Sequence, residues 1–284
     1  MNLNNIIGEI KKADPEVYER LNTRRSAMKN FAKMGSNLAL AAVPLALGSM
    51  FQKAYANTTS TNDTVLEILN YALTLEYLEA EFYTTALASP GLIPADIMSD
   101  FQTISKHETA HVNFLKAAIT AAGGTPVPKP TFDFSGGMGS GNGPFKNAFM
   151  DLELFLNVAQ TLEDTGVRAY KGRAAELVGT GEILTAALRI HSVEARHASD
   201  VRMIRKAYGS GIGNVKPWIT GKMSNINSAL VQPSYDGEEN TKQATIEIVN
   251  INGFPISADA ATESFDEGLT KAQVLAIVSP FIKP

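Results

Sequence analysis

His191-Ser-Val-Glu194-Ala-Arg-His197, set beside its echo His107-Glu108-Thr-Ala-His111, decides how the chain folds. Each stretch contains Glu-x-x-His. Residues three apart on a helix share a face about one turn apart, so a carboxylate and an imidazole can converge on one point. Carboxylate oxygen with imidazole nitrogen suits iron, manganese or zinc. A single such pair arises by chance on a solvated helix face. Here the two stretches hold all four histidines of the chain, and that concentration favours a site.

Working outward, helical periodicity runs through both pairs and through two further segments. Thr64 with Glu67 forms a capping box, which predicts a helix from near Val65. Its stripe is Leu66, Leu69, Leu73, Glu76, Ala80, Tyr83 and Leu87, ended by Ser89-Pro90-Gly91. A second helix follows Pro94, with Ile97, Phe101, Ile104, Glu108, His111, Leu115, Ala118 and Ala122 on its stripe. Residues 123 to 145 are rich in Gly and Pro, and a connection this long is expected to travel the length of a bundle. The third helix carries Phe149, Leu152, Leu156, Ala159, Glu163, Val167, Tyr170 and Ala174. After the turn Val178-Gly-Thr-Gly181, the fourth carries Ile183, Ala187, Ile190, Glu194, His197, Val201, Ile204 and Tyr208. The prediction is an all-α, four-helix up-down bundle with a long crossover between helices 2 and 3. A largely irregular C-terminal extension follows, with a short strand at Thr245–Val249 and a helix capped by Thr270.

The helices repeat a plan. Glu76 and Tyr83 are seven apart, as are Glu163 and Tyr170, while Glu108 and His111 are three apart, as are Glu194 and His197. Burying four carboxylates together is prohibitive without compensation, because each ionised group loses its hydration. Two divalent cations balance four negative charges. A Glu from each of two helices with Glu-x-x-His from each of the other two is the arrangement of ferritin-like di-iron and di-manganese bundles.

Residues 64 to 208 accordingly resemble the ferritin-like superfamily. More narrowly, Leu75-Glu-Tyr-Leu-Glu-Ala-Glu-Phe-Tyr83, Leu162-Glu-Asp-Thr-Gly-Val-Arg-Ala-Tyr170 and Phe265-Asp-Glu-Gly-Leu-Thr-Lys271 look like exported bacterial ferritin-like-domain proteins, a group that includes the desiccation-related proteins. The resemblance implies Glu76, Glu108, His111, Glu163, Glu194 and His197 as metal ligands, with Glu108 and Glu194 bridging two iron or manganese ions. It also leaves Tyr83 and Tyr170 as partners that hydrogen-bond ligating carboxylates from behind, or as plain core aromatics. Glu79 lies one turn from Glu76 but off the stripe, and ranks behind it as a ligand. Glu81 and Asp164 are expected in solvent. His107 and His191 are expected at the surface or behind the ligands.

Residues 1 to 56 read as an export signal. Arg24-Arg25 precede an uncharged stretch from Met34 to Gln52, and Ala54-Tyr55-Ala56 has the small-x-small form of a signal-peptidase site. Paired arginines ahead of such a stretch resemble a twin-arginine signal, although Ala27 stands where Phe is usual. An uncleaved anchor is the rival reading. The domains expected are 1–56 signal, 57–213 bundle and 214–284 extension packed on the bundle, in a periplasmic or secreted protein. Removing the signal takes eight of 25 basic and four of 29 acidic residues, leaving 17 against 25 and a net charge of −8. That balance disfavours nucleic acid as a partner. No other segment is long and apolar enough for a membrane span. The absence of cysteine excludes disulfides, thiolate metal sites and thiol nucleophiles.

Two readings of function follow. One is a di-metal oxidoreductase, catalase-, peroxidase- or ferroxidase-like, whose partners are metal ions and small oxidants. The other is a non-enzymatic metal-binding envelope-stress protein in which the ions hold the bundle together. An iron-storage cage is a weaker third, because a long tail replaces a compact fifth helix. Self-association is compatible with each.

Overall fold

A computed structural model describes residues 62–209 and 215–284. Residues 1–61, with the expected export signal, the Thr64 side chain and most of the Gly209–Gly213 turn lie outside the described residues. Four long helices make the bundle: α1 (Asn62–Leu87), α2 (Met98–Ala121), α3 (Leu152–Ala174) and α4 (Glu182–Tyr208). The predicted stripes are the buried faces, so apolar periodicity, and not intrinsic propensity, sets where each helix forms. Asp151 caps α3 by accepting from the Leu154 amide at 3.0 Å, and Lys171 and Arg173 in its last turn oppose the helix dipole. None of the described helices is long and apolar enough to cross a membrane.

α1 packs on α2 and α3 on α4, each pair an antiparallel hairpin. Cross-contacts fix how the hairpins face each other. Tyr83 bonds Glu163 and Tyr170 bonds Glu76, so α1 and α3 run antiparallel. The ring of His107 stacks on that of His197 while His111 meets Glu194, which sets α2 antiparallel to α4. It follows that α2 and α3 run in the same direction, as the long crossover requires. That crossover travels beside α1. Val127 donates to Asn70, Lys129 pairs with Glu81, and Phe134 packs on Phe82. Glu81 is therefore half-buried in an ion pair, where the sequence pattern suggested open solvent.

Each end of the bundle is apolar. Phe82, Tyr83, Phe101 and Phe155 form an aromatic layer at one end, with ring centroids 4.9 to 6.4 Å apart. At the other end an apolar cavity of about 30 Å³ is lined by residues including Leu69, Ala72, Leu115, Tyr170, Ala187 and Ile190. Tyr208, expected on the inward stripe, is 37% exposed and its hydroxyl donates to Asp96. Its place at the last residue of α4 carries it past the aromatic layer.

The extension holds a two-stranded antiparallel hairpin, β1 (Lys242–Gln243) with β2 (Ile246–Glu247), where a strand over Thr245–Val249 was expected. Two short helices follow, α5 (Ala258–Thr262) and α6 (Lys271–Val278). Thr270 caps α6 in a capping box with Gln273, as predicted. The extension is bonded to α3. Leu269 donates to the Arg168 carbonyl at 3.0 Å, and a Cβ added at Gly172 would sit 1.9 Å from the Leu269 carbonyl oxygen. Only glycine permits that approach.

Three buried arginines tie the two parts together. Arg168 donates to the carbonyls of Glu267, Ser234 and Asp236 and pairs with Glu238 at 2.7 Å. Arg205 donates to Asn157 and Gln160 and to the carbonyls of Ser224 and Asn225. Arg202 grips both oxygens of Asp164, which also accepts from Tyr235 at 2.6 Å. Asp164 is thus 3% exposed, and the expectation of a solvated side chain is corrected. The extension covers the face of α3 on which Asp164 sits, so α3 is buried on all sides from Phe155 to Tyr170, except at Asn157.

Candidate metal centre

The inward stripes bring Glu76 from α1, Glu108 and His111 from α2, Glu163 from α3, and Glu194 and His197 from α4 to one buried place midway along the bundle. The four glutamates are fully excluded from solvent, and His111 and His197 nearly so. Two overlapping groups emerge. Glu76, Glu108, His111 and Glu194 present ligand atoms within 4.8 Å of one another, and so do Glu108, Glu163, Glu194 and His197. Glu108 and Glu194 belong to both. Each group keeps one further Glu and one His to itself, which reproduces the two-fold plan of the sequence in space.

The imidazoles turn Nδ1 towards the carboxylates. His111 Nδ1 lies 3.1 Å from both Glu76 and Glu108 and 3.3 Å from Glu194. One nitrogen carries at most one proton, so it cannot satisfy three carboxylates. His197 Nδ1 lies 2.8 Å from Glu108 Oε1 and 3.4 Å from Glu163 Oε2, yet neither contact has hydrogen-bond alignment. The buried atoms Glu108 Oε1, Glu163 Oε2, both Glu194 oxygens and His197 Nδ1 have no hydrogen-bond partner among the described residues. Orphaned buried polar atoms are rare in folded proteins. Five of them converging from three helices fit divalent cations, and the oxygen-nitrogen set matches what iron and manganese accept.

The remaining capacity of these side chains is held by the protein. Tyr83 donates to Glu163 Oε1 at 2.5 Å, and Tyr170 donates to Glu76 Oε1. Each tyrosine therefore crosses the bundle to the glutamate of the other hairpin. His107 Nδ1 meets His197 Nε2 at 2.9 Å, placing His107 behind a member of the cluster. His191 donates to the Val167 carbonyl at 3.0 Å and takes no place in either group.

Electrostatics report the same crowding. Burial, only partly countered by His111, pushes Glu76 up to about 7. Burial and the neighbouring carboxylates push Glu194 and Glu79 well above the usual range, and burial raises Glu163. Glu108 is the exception. Burial acts upward on it too, but the adjoining imidazoles of His111 and His197 outweigh that effect and hold it at about 2. The histidines give up their protons reluctantly: against burial, the carboxylates raise His111 to about 12 and His197 to about 10.

Glu79, ranked behind Glu76 as a ligand by its place off the stripe, belongs to neither group, but its burial departs from what the stripe suggests. It is 4% exposed and reaches the centre from α1 beside Glu76. The signal that could have found it is Gly166 on the facing helix. A Cβ there would lie 3.1 Å from both Glu79 Oε1 and Glu194 Oε2, so glycine makes room for the two carboxylates.

A family model described as the ferritin-like domain matches residues 64–207. No curated protein matches the chain in sequence. The match begins in the first turn of α1 and ends one residue before the end of α4, so it takes in both hairpins and every residue of the two groups. With half its length in that match and the bundle in place, the chain belongs to the ferritin-like domain family.

Proposed function

We propose that the chain holds two iron or manganese ions and works in the bacterial cell envelope as a redox protein acting on peroxide, oxygen or ferrous iron. The observation that carries this reading is the pair of overlapping ligand groups sharing Glu108 and Glu194. In it, Glu76 and His111 would hold one ion, Glu163 and His197 the other, and Glu108 and Glu194 would be available to both. A pair of redox-active ions supplies two-electron exchange with peroxide or oxygen. The chain's own side chains do the rest. Tyr83 and Tyr170 hold one oxygen each of Glu163 and Glu76, which leaves the other oxygen free to ligate. His197, ligating through Nδ1, donates its Nε2 proton to His107, which keeps the ring oriented. The aromatic layer and the apolar cavity beyond Tyr170 exclude water from either end of the centre.

The envelope assignment is supported by Arg24-Arg25, the uncharged stretch after them and Ala54-Tyr55-Ala56. A folded-protein export route would allow the ions to be loaded before secretion. The test is elemental analysis of protein purified from its native compartment, followed by peroxide-consumption and ferrous-oxidation assays. Two transition-metal ions per chain with turnover in either assay is the expected result. Folded protein that takes up neither metal on loading overturns the reading. Chelation then separates catalysis from a purely structural centre: activity is lost with the fold retained in the first case, and the chain unfolds in the second.

A further inference from the structure

We propose that Glu79 is a fifth carboxylate of this centre, used in addition to Glu76 and supplied by the first hairpin alone. The inference rests on the di-metal reading above and extends it. The internal repeat relates Glu76 to Glu163 and Tyr83 to Tyr170 by a single offset, and the same offset relates Glu79 to Gly166. At this one position the two halves differ as sharply as residues can, a long carboxylate against no side chain. The structure shows why. Glu79 Oε1 and Glu194 Oε2 each lie 3.1 Å from the place a Gly166 Cβ would occupy, so the two carboxylates flank the gap that glycine leaves. Glu79 is 4% exposed and stands just outside the two ligand groups, and no lysine or arginine pairs with it among the described residues. The three buried arginines are all engaged elsewhere, with Glu238, Asp164, Gln160 and backbone carbonyls. A carboxylate so placed either takes up a proton or is met by an ion, and the Glu194 oxygen flanking the same gap makes this a place where an ion can meet it.

The consequence is an asymmetric charge balance. Four bridging and terminal glutamates neutralise two divalent ions, and Glu79 adds one negative charge beyond that. The surplus stabilises the pair more when an ion is trivalent than when both are divalent. Glu79 therefore favours the oxidised centre and draws its midpoint potential downward. A carboxylate at position 166 would do the same from the opposite helix.

The experiment compares wild type, Glu79→Gln and the transplant Glu79→Ala/Gly166→Glu, read by Mn²⁺ titration and by the midpoint potential of the iron-loaded protein. In Glu79→Gln, Mn²⁺ binding is expected to weaken by about tenfold or more and the iron midpoint to move to more positive values. In the transplant, both are expected to return towards wild type. Wild-type affinity and potential in Glu79→Gln would overturn the proposal while leaving the di-metal reading intact. So would a variant that loses only thermal stability, since that marks Glu79 as a packing residue. A wild-type protein that binds no Mn²⁺ or iron sinks both ideas together.

Discussion

Glu163 and Asp164 are neighbours on α3, both are carboxylates, and both are buried, yet they sit in opposite kinds of site. Asp164 faces the extension and is fully provided for: Arg202 grips both oxygens and Tyr235 donates to one of them. Glu163 faces the bundle axis, where Tyr83 satisfies one oxygen and the other has no partner. The protein thus contains one buried carboxylate cluster neutralised by its own arginines and, one residue along the helix, another that is not. Pairing at Asp164 marks a structural network, whereas several orphaned oxygens and an imidazole nitrogen converging on one point mark a place for an ion; the single orphan Glu238 Oε2, beside Arg168, does not.

Breaking the complete side should have the largest effect. Asp164→Asn leaves Arg202 buried against a neutral amide, and denaturant unfolding should show a loss of about 3–5 kcal/mol. The metal content of the molecules that remain folded should be unchanged. On the incomplete side the sign reverses. Glu194→Gln removes a carboxylate neither of whose oxygens has a hydrogen-bond partner. The metal-free protein should be at least as stable as wild type by the same unfolding measurement. Metal affinity, read by chelator competition, should fall beyond the roughly 100-fold that loss of an outer partner brings. A destabilised metal-free Glu194→Gln would erase the contrast between the two clusters.

Smaller effects sharpen it. Tyr83→Phe and Tyr170→Phe each free one carboxylate oxygen on the hairpin opposite the substitution, so each should weaken metal binding by about 10–100-fold. Structures of the variants should show Glu163 displaced in the first and Glu76 in the second. The pH dependence needs no substitution. The folded protein holds protons on His111 and His197 up to about 12 and about 10, so an entering cation must expel them. Affinity should therefore rise with pH through the neutral range, by up to roughly tenfold per pH unit for each proton displaced, and titrations in buffers of different ionisation enthalpy should detect the protons released.

The incomplete cluster was the more legible of the two in the sequence. Its members recur at spacings of three and seven on stripes of otherwise apolar residues, so burial of Glu76, Glu108, Glu163 and Glu194 follows from helical periodicity alone. The complete cluster was hidden because a stripe describes only one face of a helix. Asp164, Arg168 and Gln160 lie on the other face of α3, which the extension covers through contacts such as Arg168 with Glu238 and Leu269, 70 to 101 residues distant. No local pattern encodes so distant a partner. A clue was nonetheless present: from Phe155 to Tyr170 the third helix has no lysine and only three charged residues, too few for a solvated face. Glu79 escaped for a related reason. Its burial depends on Gly166 of a different helix, and a small residue opposite a carboxylate is a pairwise signal that periodicity along one helix does not contain.

Glu108 and Glu194 belong to both ligand groups and are proposed to serve two ions. Anomalous diffraction at the iron or manganese absorption edge, from crystals of the metal-loaded protein, tests this sharing most directly. Two peaks are expected between the four helices, each flanked by one histidine Nδ1, with Glu108 and Glu194 reaching both. A single peak, or metal bound only at the surface while these carboxylates pair with imidazole protons alone, would contradict it.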